Sequence, residues 1–381
     1  MREICSWGTK HPAAPTAGLA SRFPIKLRAQ HTPVPCGMIG AMNRAGGPLI
    51  STTGTSQSHR AAVYRRAQKD GDLIRVLPGV FIPFQELPIE RDARISLFIT
   101  AAAVAHRNSI VVGRSAAFLH GLARTTEEVA SKDYPPIELG TVTHSSTRHT
   151  SHRWMQIEHR RVTRKVERRC VTMRTPFGHI RVASMLDTCE QLLLWHPMDA
   201  AVVAVEDALN RMKLPRGALR VENLKGRKGI KQARRALKLI TPWSESPRES
   251  ELKLRLWRAG LPAPMQQVVI RRHTGEFLGR VDFMFHCGLI VEYDGASKHA
   301  SVSVDPSNVF SLERSLNRER ERERRIMGLG YEFVRVDRRS FREGTGVEDV
   351  VERYADMVDN PPSKTKREKW VWSAKGKAWR E

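Results

Sequence analysis

Acids inside a strand need a reason. The run Val291-Glu292-Tyr293-Asp294-Gly295 places two of them in an otherwise β-forming stretch, with a third at Asp282 shortly before. Brought to one face, such carboxylates could hold a hard divalent cation such as Mg²⁺ through oxygen ligands. Whether they share a face depends on register. Gly279 to Phe285 and Leu289 to Tyr293 read as two strands joined by His286-Cys287-Gly288, a three-residue connection ending in glycine. With Phe285 opposite Leu289, counting outward sets Asp282 across from Glu292. Cβ atoms there lie roughly 4.5 to 5.5 Å apart, and like charges destabilise the pair. A cation would relieve that repulsion. Asp294 lies two residues on, on the face of Glu292, so three carboxylates could converge. A two-residue turn would instead set Asp282 against Tyr293 and scatter the acids over both faces.

The preceding helix offers a further acid. Pro247 to Ala259 follows a Ser246 cap, and Leu252 and Leu256 form an apolar stripe at helical spacing. Three residues before Leu252 is Glu249, which therefore shares the inward face. Glu251, four before Arg255 and seven before Arg258, has the pattern of a solvated, salt-bridged face. Met265 to Arg272 reads as a first strand, Asn308 to Met327 as a charged helix, and Tyr331 to Val336 as a closing strand after the Gly328-Leu329-Gly330 stop. The order is helix, three strands, helix, strand.

On these residues the segment from about 245 to 345 resembles the restriction-endonuclease-like superfamily with the PD-(D/E)XK core. Within it, the segment is similar to the very-short-patch repair endonucleases. The matching motifs are SPRES around Glu249, GLPAP at 260–264, GRVDF at 279–283 and VEYDG at 291–295, covering about a quarter of the chain. The resemblance implies an αβββαβ core with Asp282 as principal metal ligand, Glu292 as second carboxylate and Glu249 as auxiliary acid, working with Mg²⁺ or Mn²⁺. Where the superfamily pattern has a lysine two positions after Glu292, this chain has Asp294. Lys298 and His299, after the strand, could supply the missing function. His299 matches a histidine of the repair-endonuclease active site and would act as general acid or base, with Lys298 as electrostatic support.

A formal net charge of +24 and a pI near 10.5 suit a phosphate-polymer partner, held by salt-sensitive attraction. No run approaches the roughly 20 apolar residues of a spanning helix; Ile95 to Ala105, bounded by Arg94 and His106, reads as a buried helix. About the first 45 residues lack periodicity and a secretory core, and read as disordered or as preceding the true start at Met38 or Met42. Five scattered cysteines form neither a zinc site nor a disulfide framework, which fits a reducing cytoplasm.

In 46–86, the basic helix Ser58 to Lys69, with Arg60, Arg65, Arg66 and Lys69, precedes a hairpin of Leu73 to Val76 and Val80 to Ile82 around Leu77-Pro78-Gly79. Helix then hairpin is the layout of a winged helix. The runs DGDLIRVLPGVFI and VVGRSAAFLHGL resemble AbiEi-type antitoxin and transcriptional-regulator proteins. This implies DNA contact by those four basic residues and by Arg75 on the wing, and a cognate toxin as a possible second partner. Ser51 to Thr55, where a first helix would lie, is poor helix material.

Residues 90–240 read as a basic α/β middle segment. Its helices are Glu90 to Ala105, Arg114 to Gly121, Ser184 to Trp195 and Met198 to Arg211, with a strand at Gly178 to Val182 and a structural Asp187. The arginine- and histidine-dense stretch His144 to Arg174 could contact phosphates. A Ser/Pro-rich linker leads on to 245–345. The tail, 360–381, interleaves lysines with Trp370, Trp372 and Trp379 and reads as a separate basic extension, with a single-strand grip as the functional alternative. The whole is an α/β (α+β multidomain) chain. Two functions fit: a metal-dependent DNA endonuclease, or a non-catalytic regulator of antitoxin type that binds operator DNA and retains an inactive nuclease fold.

Overall fold

The computed structural model describes residues 47–143, 148–219, 226–295 and 306–380, with backbone only at 70, 216 and 306–316. The expectations for 1–45, for His144 and for Lys298 and His299 lie outside the described residues. The class is α/β.

A three-stranded sheet opens the described chain. β1 (Ile50–Ser51) pairs with β3 (Val80–Pro83), which pairs with β2 (Leu73–Leu77), and α1 (Gln57–Arg65) packs against them through Val63 and Tyr64. Ser56 caps α1, and the helix continues as a π turn over Arg66–Asp70. The Pro78-Gly79 turn carries the hairpin, with Leu77 opposite Val80. Where a first helix would stand, Ile50–Ser51 is a strand.

The middle region contains α2 (Arg91–Ala105), β4 (Ile110–Val111), α3 (Gly113–Leu119), α4 (Thr126–Ala130), β5 (Ile137–Thr141), β6 (Arg148–Ser151), β7 (Gln156–Arg161), α5 (Arg164–Arg169), β8 (Val171–Thr175) and β9 (Gly178–Val182). After them come α6 (Met185–Trp195), α7 (Met198–Met212) and α8 (Ile230–Leu239). Its strands form one mixed sheet in the order β6-β7-β5-β4-β9-β8. Apolar residues run almost unbroken through α2 because it is buried from Ile95 to Ala103. Asp187 is buried, bonded to Ser184 and Arg169, and structural as expected.

The last region runs α9 (Pro247–Arg258), β10 (Met265–Arg271), β11 (Phe277–Met284), β12 (Leu289–Asp294), α10 (Pro306–Met327) and β13 (Glu332–Asp337). It continues as α11 (Arg338–Glu343), α12 (Thr345–Asp359), α13 (Lys364–Arg367), β14 (Val371–Ser373) and β15 (Gly376–Lys377). The sheet order is β13-β12-β11-β10-β14, with β15 also on β10. Only β12 and β13 are parallel, joined through α10.

Two expectations change here. The Ser/Pro-rich linker does not part 90–240 from 245–345: Thr241 and Ser244 are buried and bond Glu206 of α7. One apolar cluster continues from α6–α8 into α9, β11 and β12. The tail is likewise not a separate extension. β14 pairs with β10, which would otherwise be an open sheet edge. Trp370 stacks on Tyr331 (centroids 4.6 Å, 20°) and its indole N–H donates to Leu329 O at 2.9 Å, while Trp379 is buried. Gly288 is required twice: its φ is +93°, and a Cβ there would meet the Trp370 ring at 2.4 Å. Trp370→Ala should therefore cost about 2 to 3 kcal/mol and raise self-association through the loosened edge. Thermal melts and light scattering would check this, and an unchanged melt would contradict it.

Candidate functional site

The hairpin register is the one that counting from the three-residue connection requires. Phe283 faces Val291, Met284 faces Ile290, and Phe285 N–H donates to Leu289 O at 2.8 Å. The ladder stops there. Tyr293 N–H donates not to a carbonyl of β11 but to Asp282 Oδ2 at 3.1 Å, so Asp282 stands where β11 and β12 part. β12 continues beside β13, with Glu292 level with Arg335 and Asp294 with Asp337.

Glu249 is buried as expected. Local bonds hold it: Ser246 accepts from Glu249 N–H at 3.2 Å, and Glu249 Oε2 accepts from Glu245 N–H, the residue before the cap, at 2.9 Å. Gln267 of β10 also donates to Oε2, at 3.1 Å. Burial, then the Asp282 charge, push the Glu249 carboxyl up to about 7. Burial also raises Glu292 against the pull of Arg322 and Arg335, and Asp282 adds to the rise. Asp282 thus acts electrostatically on acids to either side, one from α9 and one from β12.

The three carboxylates of the hairpin do not converge. The oxygens of Asp282, Glu292 and Asp294 do not all lie within 4.8 Å of one another; among the described residues that spacing belongs to Glu292, Glu319 and Glu323. Two of the three are held by arginines instead. Arg322 lies 3.2 Å from Glu292 Oε1 and Arg335 3.3 Å from Oε2, and Arg335 also reaches Asp294 at 3.5 Å. On α10, Glu319 holds the same two cations and Glu323, one helical turn on, holds Arg335, and these arginines keep the Glu319 carboxyl low despite its burial. The cation that the opposed acids demanded is therefore present as side chains. Sequence reasoning missed Arg322 and Arg335. Helical spacing of Glu319, Arg322 and Glu323 was a usable signal, whereas the alignment of Arg335 needed the parallel β12–β13 register.

Glu251 is not on a solvated face. It is buried and accepts from Thr126 N–H at 2.5 Å and Thr126 hydroxyl at 2.8 Å, with Arg248 alongside, because the middle region packs there. Arg255 instead lies over Phe341 (3.7 Å to the centroid), and Arg258 pairs with Asp199 at 2.7 Å. A cleft of about 480 Å³, lined by Phe118, Leu192, Arg114 and Glu251 among others, lies on that side of α9 and does not include Asp282.

The basic residues Arg60, Arg65, Arg66, Lys69 and Arg75 are all exposed. Arg66 pairs with Asp72 at 2.6 Å, Arg60 donates to Thr55 O at 3.1 Å, Arg65 to Ala61 O at 3.4 Å, and Arg75 lies 5.9 Å from the Tyr64 ring centroid. These bonds leave cationic surface available to a polyanion.

Glu249→Gln gives a pH test. A carboxyl raised in the fold favours the protonated state, so its stabilising contribution is complete below the ordinary 4.5 and is lost as pH rises through about 7. The variant lacks that titration. Its melting temperature relative to wild type should climb across this window, by up to about 3 kcal/mol in stability terms. A pH-independent difference would contradict the assignment.

No family model matches the chain. It is similar to two uncharacterized proteins from two strains of Mycobacterium tuberculosis, each 31% identical over 139 residues, or 36% of this chain. The chain spans about half the length (47%) of these curated relatives. No helix among the described residues is long and apolar enough to cross a membrane.

Proposed function

We propose that this chain is a DNA-binding protein whose C-terminal αβββαβ region hydrolyses phosphodiester bonds with a divalent metal. The observation that carries the reading is the position of Asp282 at the parting of β11 and β12, with Glu249 and Glu292 to either side. The donor set fits Mg²⁺ or Mn²⁺, since every group is a hard oxygen and the Asp282 charge bears on both Glu249 and Glu292. Asp282 and Glu292 would hold the metal, with Glu249 beside them. When bound it supplies Lewis-acid polarisation of the phosphate and a lowered pKa for water. Glu249, at about 7, can accept a proton near neutral pH. Arg322 and Arg335 provide positive charge for the developing phosphorane, a task that Asp294 cannot perform in the lysine position. The +24 net charge and the exposed arginines of α1 and the wing hold the duplex.

One observation favours a second reading. Glu292 is already neutralised by two arginines, as it would be in a nuclease fold kept only for DNA binding by a regulator or an antitoxin with a toxin partner. Incubation with supercoiled plasmid and Mg²⁺ or Mn²⁺ separates the two. Nicking abolished by EDTA supports the enzyme; retarded but uncut plasmid supports the regulator.

A further inference from the structure

Gln267 carries two unfavourable features at once. Its φ is +51°, and the other non-glycine residue with positive φ among those described, Lys213, occupies an ordinary helix C-cap. In mid-strand a left-handed residue with a side chain is strained, because its Cβ crowds the following carbonyl oxygen. Its carboxamide is also buried, at 4% exposure, and while Nε2 donates to Glu249, Oε1 has no hydrogen-bond partner. A buried acceptor left without a donor forfeits the hydrogen bond that water would give it.

The distortion is local. Gln266 faces Phe283 and Val268 faces Val281, so the register is the same on both sides, and the pair left open between them is Gln267 and Asp282. Residues two apart in a strand normally share a face. Here Gln266 bonds Thr241 and Ser244 beneath α9, while Val268 belongs to the core that contains Ile326 of α10. The left-handed residue switches the face of β10 level with Asp282, and its amide is thereby fixed to Glu249.

Strain of this kind persists where the surroundings impose it, and it clusters at working sites. We infer that Gln267 is a positioning residue of the acidic site, its amide N–H group fixing Glu249 and its Oε1 serving as an additional neutral oxygen donor to the divalent cation or its water. A carboxamide oxygen is a fitting ligand for such an ion, and a fourth carboxylate in its place would add to the repulsion. The inference rests on the metal-dependent reading of the site.

The test is a Mn²⁺ titration of the full metal-free chain by calorimetry, with melting temperature recorded for each protein. Gln267→Leu keeps the bulk and removes both polar atoms. Mn²⁺ affinity should fall about 10- to 100-fold, while the metal-free melting temperature changes little. Gln267→Glu keeps an oxygen donor but loses the N–H to Glu249, so it should bind Mn²⁺ less than about 10-fold more weakly than wild type, which also covers the case in which the leucine variant does not fold. Wild-type affinity in Gln267→Leu, or a loss in Gln267→Glu beyond about 10-fold, overturns the inference. Asp282→Asn separates the two claims. If it loses Mn²⁺ binding while Gln267→Leu retains it, only the role of Gln267 fails; if it binds as wild type does, the metal site fails with it.

Discussion

Lys253→Met is expected to destabilise the protein by about 3 to 5 kcal/mol. The Lys253 ammonium is fully buried against the equally buried Glu206, on α9 and α7 respectively. Burial pushes the lysine down and the Glu206 charge pulls it back up. Glu206 additionally accepts from Thr241 N–H at 2.6 Å, Ser244 at 2.8 Å and Ser250 at 2.6 Å, so one carboxylate ties α7, the linker and α9 together. Methionine would fill the volume and leave a buried, uncompensated carboxylate. Glu206→Gln combined with Lys253→Met should recover part of the loss, because no charge then remains buried. Denaturant unfolding of the single and double variants would check both statements. A single variant within about 1 kcal/mol of wild type would mean that the pair does not join the two regions.

Asp282→Asn should reduce metal-dependent strand cleavage at least about 10³-fold, since several kcal/mol of charge stabilisation pass through the ligands and each 1.36 kcal/mol is tenfold. The fold should tolerate the change. The amide retains an oxygen to accept from Tyr293 N–H at the point where the strands part. Binding of plasmid should persist, because the exposed arginines of α1 and of the β2–β3 hairpin are untouched. Loss of cleavage with intact melting and intact retardation is therefore the specific signature.

The parts of the site that were legible in the sequence are those fixed by local rules. His286-Cys287-Gly288 determined the hairpin register, because a three-residue connection closing on a left-handed glycine leaves Phe285 facing Leu289. Helical stepping from Leu252 put Glu249 inside. The order of helices and strands followed from periodicity and stops. What was not legible depended on partners far along the chain. Glu251 carried a salt-bridge pattern but is claimed by Thr126, and Arg335 reaches Glu292 only through the parallel pairing of β12 and β13. The lysine- and tryptophan-rich tail reads as an extension until the open edge of β10 and the ring of Tyr331 are in view. The left-handed Gln267 had no glycine or asparagine to announce it.

An Asp282-centred, metal-dependent nuclease site makes cutting of supercoiled plasmid depend on both the metal and this carboxylate. Wild-type protein in Mg²⁺ or Mn²⁺ should produce nicked or linear DNA, and EDTA and Asp282→Asn should each abolish the product while retardation remains. Plasmid that is retarded but intact with either metal, or cut equally by Asp282→Asn, would contradict the claim.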